Sequence, residues 1–139
     1  MTVTLVPKEG LRAVWPIVEP MFKRVLDRTP GRFLPVDILV EILKEQRSLW
    51  VYYDDETKNI EATFTTKIYD VPLGKICCFE WGAGKNVEEW VHESLDLIEQ
   101  YARENGCTRL EGHGRRGWKD WLFEHGWKEL STSFEKELT

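Results

Sequence analysis

The sequence has no apolar run long enough to span a membrane and no signal or transit peptide. Cysteine is also scarce, with three residues, Cys77, Cys78 and Cys107. Their spacing is not that of a metal site, and adjacent Cys77 and Cys78 in a strand would point to opposite faces. We therefore expect a protein of the cytosol that has reduced thiols, binds no metal and contacts no membrane.

An excess of positive charge is missing too. The formal net charge is −5, from 19 Lys and Arg against 24 Asp and Glu. The overall field therefore does not attract nucleic acid, which is not expected as a partner. The remaining composition, 42% hydrophobic and 31% charged, is that of an ordinary globular protein. The 139 residues suffice for one domain, 1–139, and no repeat or linker divides them.

Tryptophan is abundant by contrast, with seven residues. A buried Trp removes a large apolar area from water, so some of them belong to the core. A core of this size need not use all seven, and any Trp left on the surface would indicate a contact site.

Hydrophobic periodicity predicts a mixed order of helices and strands. Apolar residues at helical spacing predict helices over 11–27, 35–46, 87–105 and 118–125. Alternating or β-branched stretches predict strands over 2–6, 49–53, 60–69, 75–81, 108–112 and 130–138. Pro16 fits the first turn of the first helix, whereas Pro20 is expected to kink or restart it. The three middle strands, joined by short turns, predict an antiparallel meander.

The longest predicted helix has start and stop signals at its two ends. Asn86 and Glu89 have the spacing of an N-cap residue and its reciprocal partner, which predicts a capping box. Gly106 stands where the end of a helix favours a left-handed residue.

The order of elements resembles that of the GNAT superfamily, the acetyl-coenzyme-A-dependent N-acyltransferases, over essentially the whole chain. Tyr101–Glu111 is similar to the end of the family's central helix and its fifth strand, and Glu124–Trp127 to the approach to its last strand. Gly114–Trp118 and Phe134–Lys136 resemble small GNAT-like proteins encoded by tailed phages. The resemblance implies an α/β (α+β) fold, in which four helices flank a mixed, mostly antiparallel sheet of about six strands.

The resemblance also shows a departure at the cofactor position. Active members hold the pyrophosphate of acetyl-CoA with backbone amides at the N-terminus of the long helix. Here Val87, Glu88, Glu89 and Trp90 replace the small residues that let a backbone approach phosphate closely. Two carboxylates would also repel a pyrophosphate. A well-capped structural helix is the interpretation we favour.

A displaced anion-binding loop is the alternative, because glycines allow tight turns and a lysine supplies charge. Its cofactor-binding residues would be Gly82, Gly84, Lys85 and Asn86.

For catalysis, the resemblance implies a cleft where two neighbouring strands splay apart. Glu80 or Glu111 would act there as the general base that accepts the proton of the acceptor amine. His113 is a second candidate, since histidine exchanges a proton near neutral pH. The tyrosine that commonly serves as acid falls on Leu122, which has no proton to donate. For all three candidates, a solvated strand-end or loop position is the structural alternative.

The glycine-rich loop after the fifth predicted strand carries Arg115 and Arg116. Together with Trp118, these side chains could bind a phosphate or the carboxylates of a partner. An ordinary solvated basic turn is an equal alternative.

Three functions follow from these observations. The first is a phage or prophage GNAT-fold protein with a degenerate cofactor loop, a non-catalytic virion-associated or binding protein with a protein partner and no cofactor. It would reside in the host cytosol and could be incorporated into a virion. The second is an active acetyl-CoA-dependent N-acetyltransferase with a non-standard cofactor loop. The third is an inhibitor of a host protein.

Overall fold

A five-stranded sheet with helices on both faces makes up the computed structural model, which describes residues 1–139. The strands are β1 (Thr2–Leu5), β2 (Ser48–Tyr53), β3 (Ile60–Val71), β4 (Gly74–Gly84) and β5 (Arg109–Gly112). The helices are α1 (Leu11–Leu26), α2 (Pro35–Leu43), α3 (Val87–Glu104) and α4 (Lys119–Glu124). Short 3₁₀ turns, Lys8–Gly10 and Arg116–Trp118, precede α1 and α4. The mixed, mostly antiparallel sheet and the four helices confirm the predicted fold class.

The strands lie in sequence order across the sheet. Pairing is antiparallel from β1 to β4, and β5 runs parallel to β4. A parallel neighbour needs a crossover, which α3 supplies. The β4–β5 pairing runs only from Ile76–Arg109 to Phe79–Gly112, although β4 continues to Gly84. The second edge of β4 is therefore open beyond Phe79.

Each face of the sheet has its own hydrophobic core, because successive strand residues point to opposite sides. Trp50 and Phe64 belong to the core under α3, which defines the α3 face. Leu49 and Val51 belong to the core under α1 and α2, which defines the opposite face. Cys77 packs in the α3 core while its neighbour Cys78 faces a pocket on the other side, as alternation predicts.

Helix α1 runs unbroken through both of its prolines. The expected restart at Pro20, and the placement of Pro16 in the first turn, are wrong. Both prolines lie on the exposed side of the helix, while Val18 and Phe22 are fully buried against the sheet. Burial of that apolar face offsets the hydrogen bonds that two prolines remove.

The C-terminal tail forms no strand, so the predicted strand over 130–138 is wrong. Leu130, Phe134 and Leu138 are 78%, 91% and 85% exposed. An alternating pattern makes a strand only where a partner edge and an apolar surface accept it. The sheet consequently has five strands instead of about six.

All seven tryptophans take part in packing, and none is exposed. Trp15, Trp50 and Trp90 are buried. The other four, Trp81, Trp118, Trp121 and Trp127, are partly buried. None of the helices combines the length and the hydropathy that crossing a membrane requires.

Truncation of a core phenylalanine and of a tail phenylalanine should change the free energy of unfolding by different amounts. Phe22→Ala should lower the free energy of unfolding by about 3–5 kcal/mol, because Phe22 is fully buried and stacks on Trp15 with ring centroids 5.9 Å apart. Phe134→Ala should change it by less than about 0.5 kcal/mol, since that side chain is 91% exposed. Urea unfolding followed by circular dichroism measures both. Equal losses of unfolding free energy in the two variants would contradict the exposure of Phe134 in the tail.

Candidate functional site

A pocket of about 400 Å³ lies on the face of the sheet packed by α1 and α2. Side chains from α2, β3, β4 and β5 line it. Most of its lining is ionisable, including Asp37, Glu41, Arg47, Lys67, Tyr69, Cys78, Glu80, Glu111 and His113. The pocket is therefore a charged site beside an apolar core.

Strand register explains why these side chains meet. Lys67 of β3 pairs with Cys78 of β4, and Cys78 pairs with Glu111 of β5, so all three share one face. Glu80 and His113 lie two residues further along their chains and face the same side. The three predicted catalytic residues, Glu80, Glu111 and His113, thus line a single pocket.

A β-bulge in β4 shapes the pocket wall. Thr65 pairs with Glu80 and Thr63 with Ala83, so one residue of β3 lies opposite two of β4. Trp81 in this bulge has a left-handed backbone with φ 65°, which is costly for a bulky residue. The bulge lets neighbouring Glu80 and Trp81 both line the pocket. Phe33 packs edge-on against the Trp81 ring, with centroids 5.5 Å apart.

Arg47 is the buried charge of the site. Its side chain is 6% exposed and donates from Nε to Glu41 Oε2 at 2.7 Å and from Nη1 to Glu80 Oε1 at 3.2 Å. Nη1 also donates to Thr65 Oγ1 at 3.0 Å. Lys67 Nζ lies 3.7 Å from the other oxygen of Glu41. Glu41 and Glu80 are thereby neutralised and held in place.

Glu111 has a different environment from Glu80. Tyr69 donates its hydroxyl to Glu111 Oε2 at 2.8 Å, and His113 Nε2 lies 3.3 Å from Oε1. The hydrogen bond to this carboxylate raises the pKa of Tyr69 to about 12. No lysine or arginine pairs with Glu111 or with Asp37, the other two carboxylates of the pocket. The side chain of Glu111 is 23% exposed, whereas Asp37 is exposed to solvent, so Glu111 is the more enclosed of the two.

Cys78 lies among these acidic groups. Burial, followed by the negative charges of Glu80 and Glu111, raises the pKa of its thiol. Its Sγ and one ligand atom each of Glu80 and His113 lie within 4.8 Å of one another. The expectation of no metal rested on the spacing of residues along the chain. Such spacing does not show which side chains meet on neighbouring strands.

Sequence reasoning missed Arg47, Lys67, Tyr69 and Cys78 as residues of this pocket. The alternation of polar side chains at Thr65, Lys67 and Tyr69 in a predicted strand was the available signal. Its meaning depends on the register with β4, which the sequence alone does not reveal.

The predicted cofactor loop has a different structure. Gly82 and Gly84 lie in β4, and Gly84 pairs with Ala62 so closely that an added Cβ would lie 2.5 Å from the Ala62 Cβ. Asn86 has φ 52° and makes no side-chain cap, so the predicted capping box is wrong. A left-handed residue turns its side chain away from the helix amides that it would have to bond. Lys85 is exposed.

The predicted partner-binding residues divide into two groups. Arg115 and Arg116 are exposed, whereas Trp118 is partly buried and packs in the core under α3. Both arginines border a second cavity, of about 360 Å³, between β5, α4 and the tail. Binding of a partner by this loop stays a prediction.

No protein-family model and no curated protein matches the sequence. Solved structures do match. Glucosamine-6-phosphate N-acetyltransferase from Arabidopsis thaliana has a TM-score of 0.72 and 13% identity, over 99% of this chain and 98% of its own. An acetyltransferase from Trypanosoma brucei has a TM-score of 0.69 and 10% identity, over 99% of both chains. A predicted acetyltransferase from Clostridium acetobutylicum, solved with acetyl-CoA, has a TM-score of 0.71 and 10% identity, over 98% and 95%.

Similarity over nearly complete chains shows that this protein has the GNAT fold. At such low identity the likeness concerns the fold and leaves activity to be argued from the site.

The residues at the expected acetyl-CoA position do not fit the cofactor. Exposed Glu88 and Glu89 occupy the first turn of α3, where a pyrophosphate would have to bind. A cofactor reaching from there to the pocket must cross the sheet where β4 and β5 part. Trp118 lies at this opening, with its ring centroid 5.4 Å from Phe79 and 5.8 Å from Trp90. Its ring atoms come within 3.2 Å of where a Cβ on Gly82 would stand.

Arg47→Met should lower the free energy of unfolding by about 3 kcal/mol, because it leaves Glu41 and Glu80 without their buried partner. The double variant Arg47→Met, Glu80→Gln should recover part of this loss, since it removes one uncompensated charge. Arg103→Met, which breaks an exposed pair with Glu99 at 3.9 Å, is the matched control and should cost less than about 0.5 kcal/mol. Chemical denaturation measures all three. An Arg47→Met loss no larger than the control would contradict a buried network.

The Tyr69–Glu111 hydrogen bond predicts a pH dependence. The pKa of Tyr69 is raised in the folded protein, so the contact stabilises fully below the unfolded value of about 10 and is lost as the pH rises through about 12. Phenolate absorbance of the wild type minus that of Tyr69→Phe isolates this tyrosine. In Glu111→Gln the ionisation should shift towards about 10. Ionisation of Tyr69 at about pH 10 in the wild-type protein would contradict the hydrogen bond to Glu111.

Proposed function

We propose that this GNAT-fold chain is a non-catalytic binding protein, whose pocket takes a small cationic ligand such as an amine without using acetyl-CoA. The fold supplies the scaffold, and the pocket between α2 and strands β3–β5 supplies the site.

The observation that carries this proposal is Trp118 at the opening between β4 and β5. The ring belongs to the α3 core and contacts Phe79, Trp90 and Trp121. Displacing it to admit a cofactor would expose apolar surface and leave a void in the core. The carboxylates of Glu88 and Glu89 oppose a pyrophosphate at the same end.

The charge of the pocket supports a cationic ligand. Four carboxylates, of Asp37, Glu41, Glu80 and Glu111, face two permanently cationic side chains, Arg47 and Lys67. Both cations lie near Glu41 and Glu80, so Glu111 and Asp37 are left without a lysine or arginine partner and can attract a positive ligand. Trp81 and Phe33 provide an aromatic wall that an alkylammonium group can contact.

The active N-acetyltransferase remains the alternative, and one observation favours it. Glu80, Glu111 and His113 share the pocket, as a general base and its neighbours would in an acyl transfer to an amine. Acetyl-CoA would then have to bind through Lys85 after movement of Trp118. Incorporation into a virion, a phage origin, a protein partner and inhibition of a host protein stay predictions.

Isothermal titration with two probes tests the proposal. Putrescine, a diamine, should bind and change Trp fluorescence, because Trp81 lines the pocket. Glu111→Gln should weaken its binding by about tenfold, which corresponds to the loss of one charge contact. Glu99→Gln, at an exposed position on α3, should leave it unchanged. Acetyl-CoA should give no binding heat even at millimolar concentration.

Micromolar binding of acetyl-CoA that Lys85→Ala abolishes would overturn the proposal in favour of the acyltransferase. Putrescine binding that is absent, or equal in wild type and Glu111→Gln, would overturn the choice of ligand.

A further inference from the structure

A mixed set of sulfur, oxygen and nitrogen donors meets at the floor of the pocket. Cys78 Sγ, a carboxylate oxygen of Glu80 and a ring nitrogen of His113 all lie within 4.8 Å of one another. Cys78 is 3% exposed, whereas the side chains of Glu80 and His113 are 21% and 64% exposed. The donors thus range from the buried sheet surface to the mouth of the pocket.

The sheet itself fixes two of these donors. Cys78 and Glu80 are two residues apart in β4 and point to the same side. His113 follows β5, whose Glu111 pairs with Cys78, and its backbone amide donates to Phe79 O at 3.3 Å. Gly112 and Gly114 flank His113, so its imidazole sits on a short loop that can adjust.

We propose that Cys78, Glu80 and His113 bind a divalent transition-metal ion, with Zn²⁺ the best match. Thiolate, imidazole and carboxylate are the three ligand types of zinc sites in proteins. Donors bound tetrahedrally at about 2.0–2.3 Å from an ion lie about 3.5 Å apart, so closure requires a movement of about 1 Å. The exposed His113 loop supplies that movement, and the open side of the pocket leaves a fourth position for water.

The surrounding charges favour a cation at this place. Arg47 donates one hydrogen bond to Glu80, at Oε1, and its other two hydrogen bonds go to Glu41 and Thr65. A divalent ion bound to the Cys78 thiolate adds one net positive charge, which would offset Glu111, the neighbouring carboxylate that has no lysine or arginine partner. As the metal–sulfur bond forms, the thiol proton leaves to solvent.

Glu111 acts as a positioning residue for the metal ligand His113. Its Oε1 lies 3.3 Å from His113 Nε2, while Oε2 accepts the Tyr69 hydroxyl at 2.8 Å. A carboxylate that holds one imidazole nitrogen orients the ring and makes the other nitrogen a better ligand. Tyr69 in turn keeps Glu111 in place.

The metal site does not rest on the proposed amine binding, because it requires Cys78 and the amine does not. Both ligands would occupy one pocket, so a bound metal should weaken the binding of putrescine. Cys78→Ser separates the two: it should abolish metal binding and leave putrescine binding intact.

Titration of the untagged, chelator-treated chain with Co²⁺, followed by Zn²⁺, tests the site. The wild type should bind one equivalent of Co²⁺ and show a near-ultraviolet thiolate-to-cobalt charge-transfer band with visible bands of tetrahedral geometry. Zn²⁺ should displace the cobalt and remove these bands. Cys78→Ser should lack the thiolate band, and His113→Ala should bind at least about tenfold more weakly.

Cys107→Ser is the matched control, because Cys107 is a free thiol outside the pocket. It should keep the full spectrum, and circular dichroism should show that every variant is folded. The proposal is overturned if folded wild type shows no thiolate band, if Cys78→Ser keeps it, or if Cys107→Ser loses it. Loss of putrescine binding in Cys78→Ser would show instead that the two sites were wrongly separated.

Discussion

The parallel pairing of β4 with β5 extends over four residues, and both its register and its early end determine the site. The register places Glu111 beside Cys78 and directs Glu80 and His113 to the same side. A shift of one residue would turn Glu111 and His113 towards α3 and remove the contribution of β5 to the pocket. Because the pairing ends at Phe79, the remaining part of β4 has an open edge, where Trp118 packs.

The strand–helix–strand unit of the fold is present, whereas the residues at its junction differ from those expected to hold a cofactor. The same strand, helix and following strand that hold a cofactor in related folds are present, but their junction carries Asn86, Glu88 and Glu89. A left-handed Asn86 starts α3, and the two glutamates complement its dipole. Such a helix start is stable without an anion. The first turn of α3 thus presents two carboxylates to solvent, which is the feature on which the proposed lack of cofactor binding depends.

Elements with strong periodicity could be predicted from the sequence, because the spacing of their apolar residues indicates which face is buried. Helix α3 and the meander follow this rule. The errors occur where tertiary packing decides. Pro20 is tolerated because the opposite side of α1 is buried, and Leu130–Leu138 stays irregular although its pattern suits a strand. Asn86 has the residue type of a cap but a backbone angle that prevents capping.

The candidate site shows the same division. Glu80 and Glu111 could be selected because the family resemblance places them at splayed strand ends, and His113 because histidine exchanges a proton near neutral pH. Arg47 and Tyr69 could not, because their contacts run from the residue before β2 to β4 and from β3 to β5. A single sequence contains no information on that register beyond the polar alternation of β3.

Charge decides which ligands this pocket can hold. Its acidic side chains exceed its lysine and arginine by two, so a diamine would restore neutrality, whereas a monoamine, or a divalent ion that displaces the Cys78 proton, would restore half of it. Acetyl-CoA would add negative charge to an already acidic surface and meet Trp118 on its path. In the two proposed binding modes, the buried thiol of Cys78 would discriminate between the two cations, since sulfur binds a transition metal strongly and contributes little to an ammonium group.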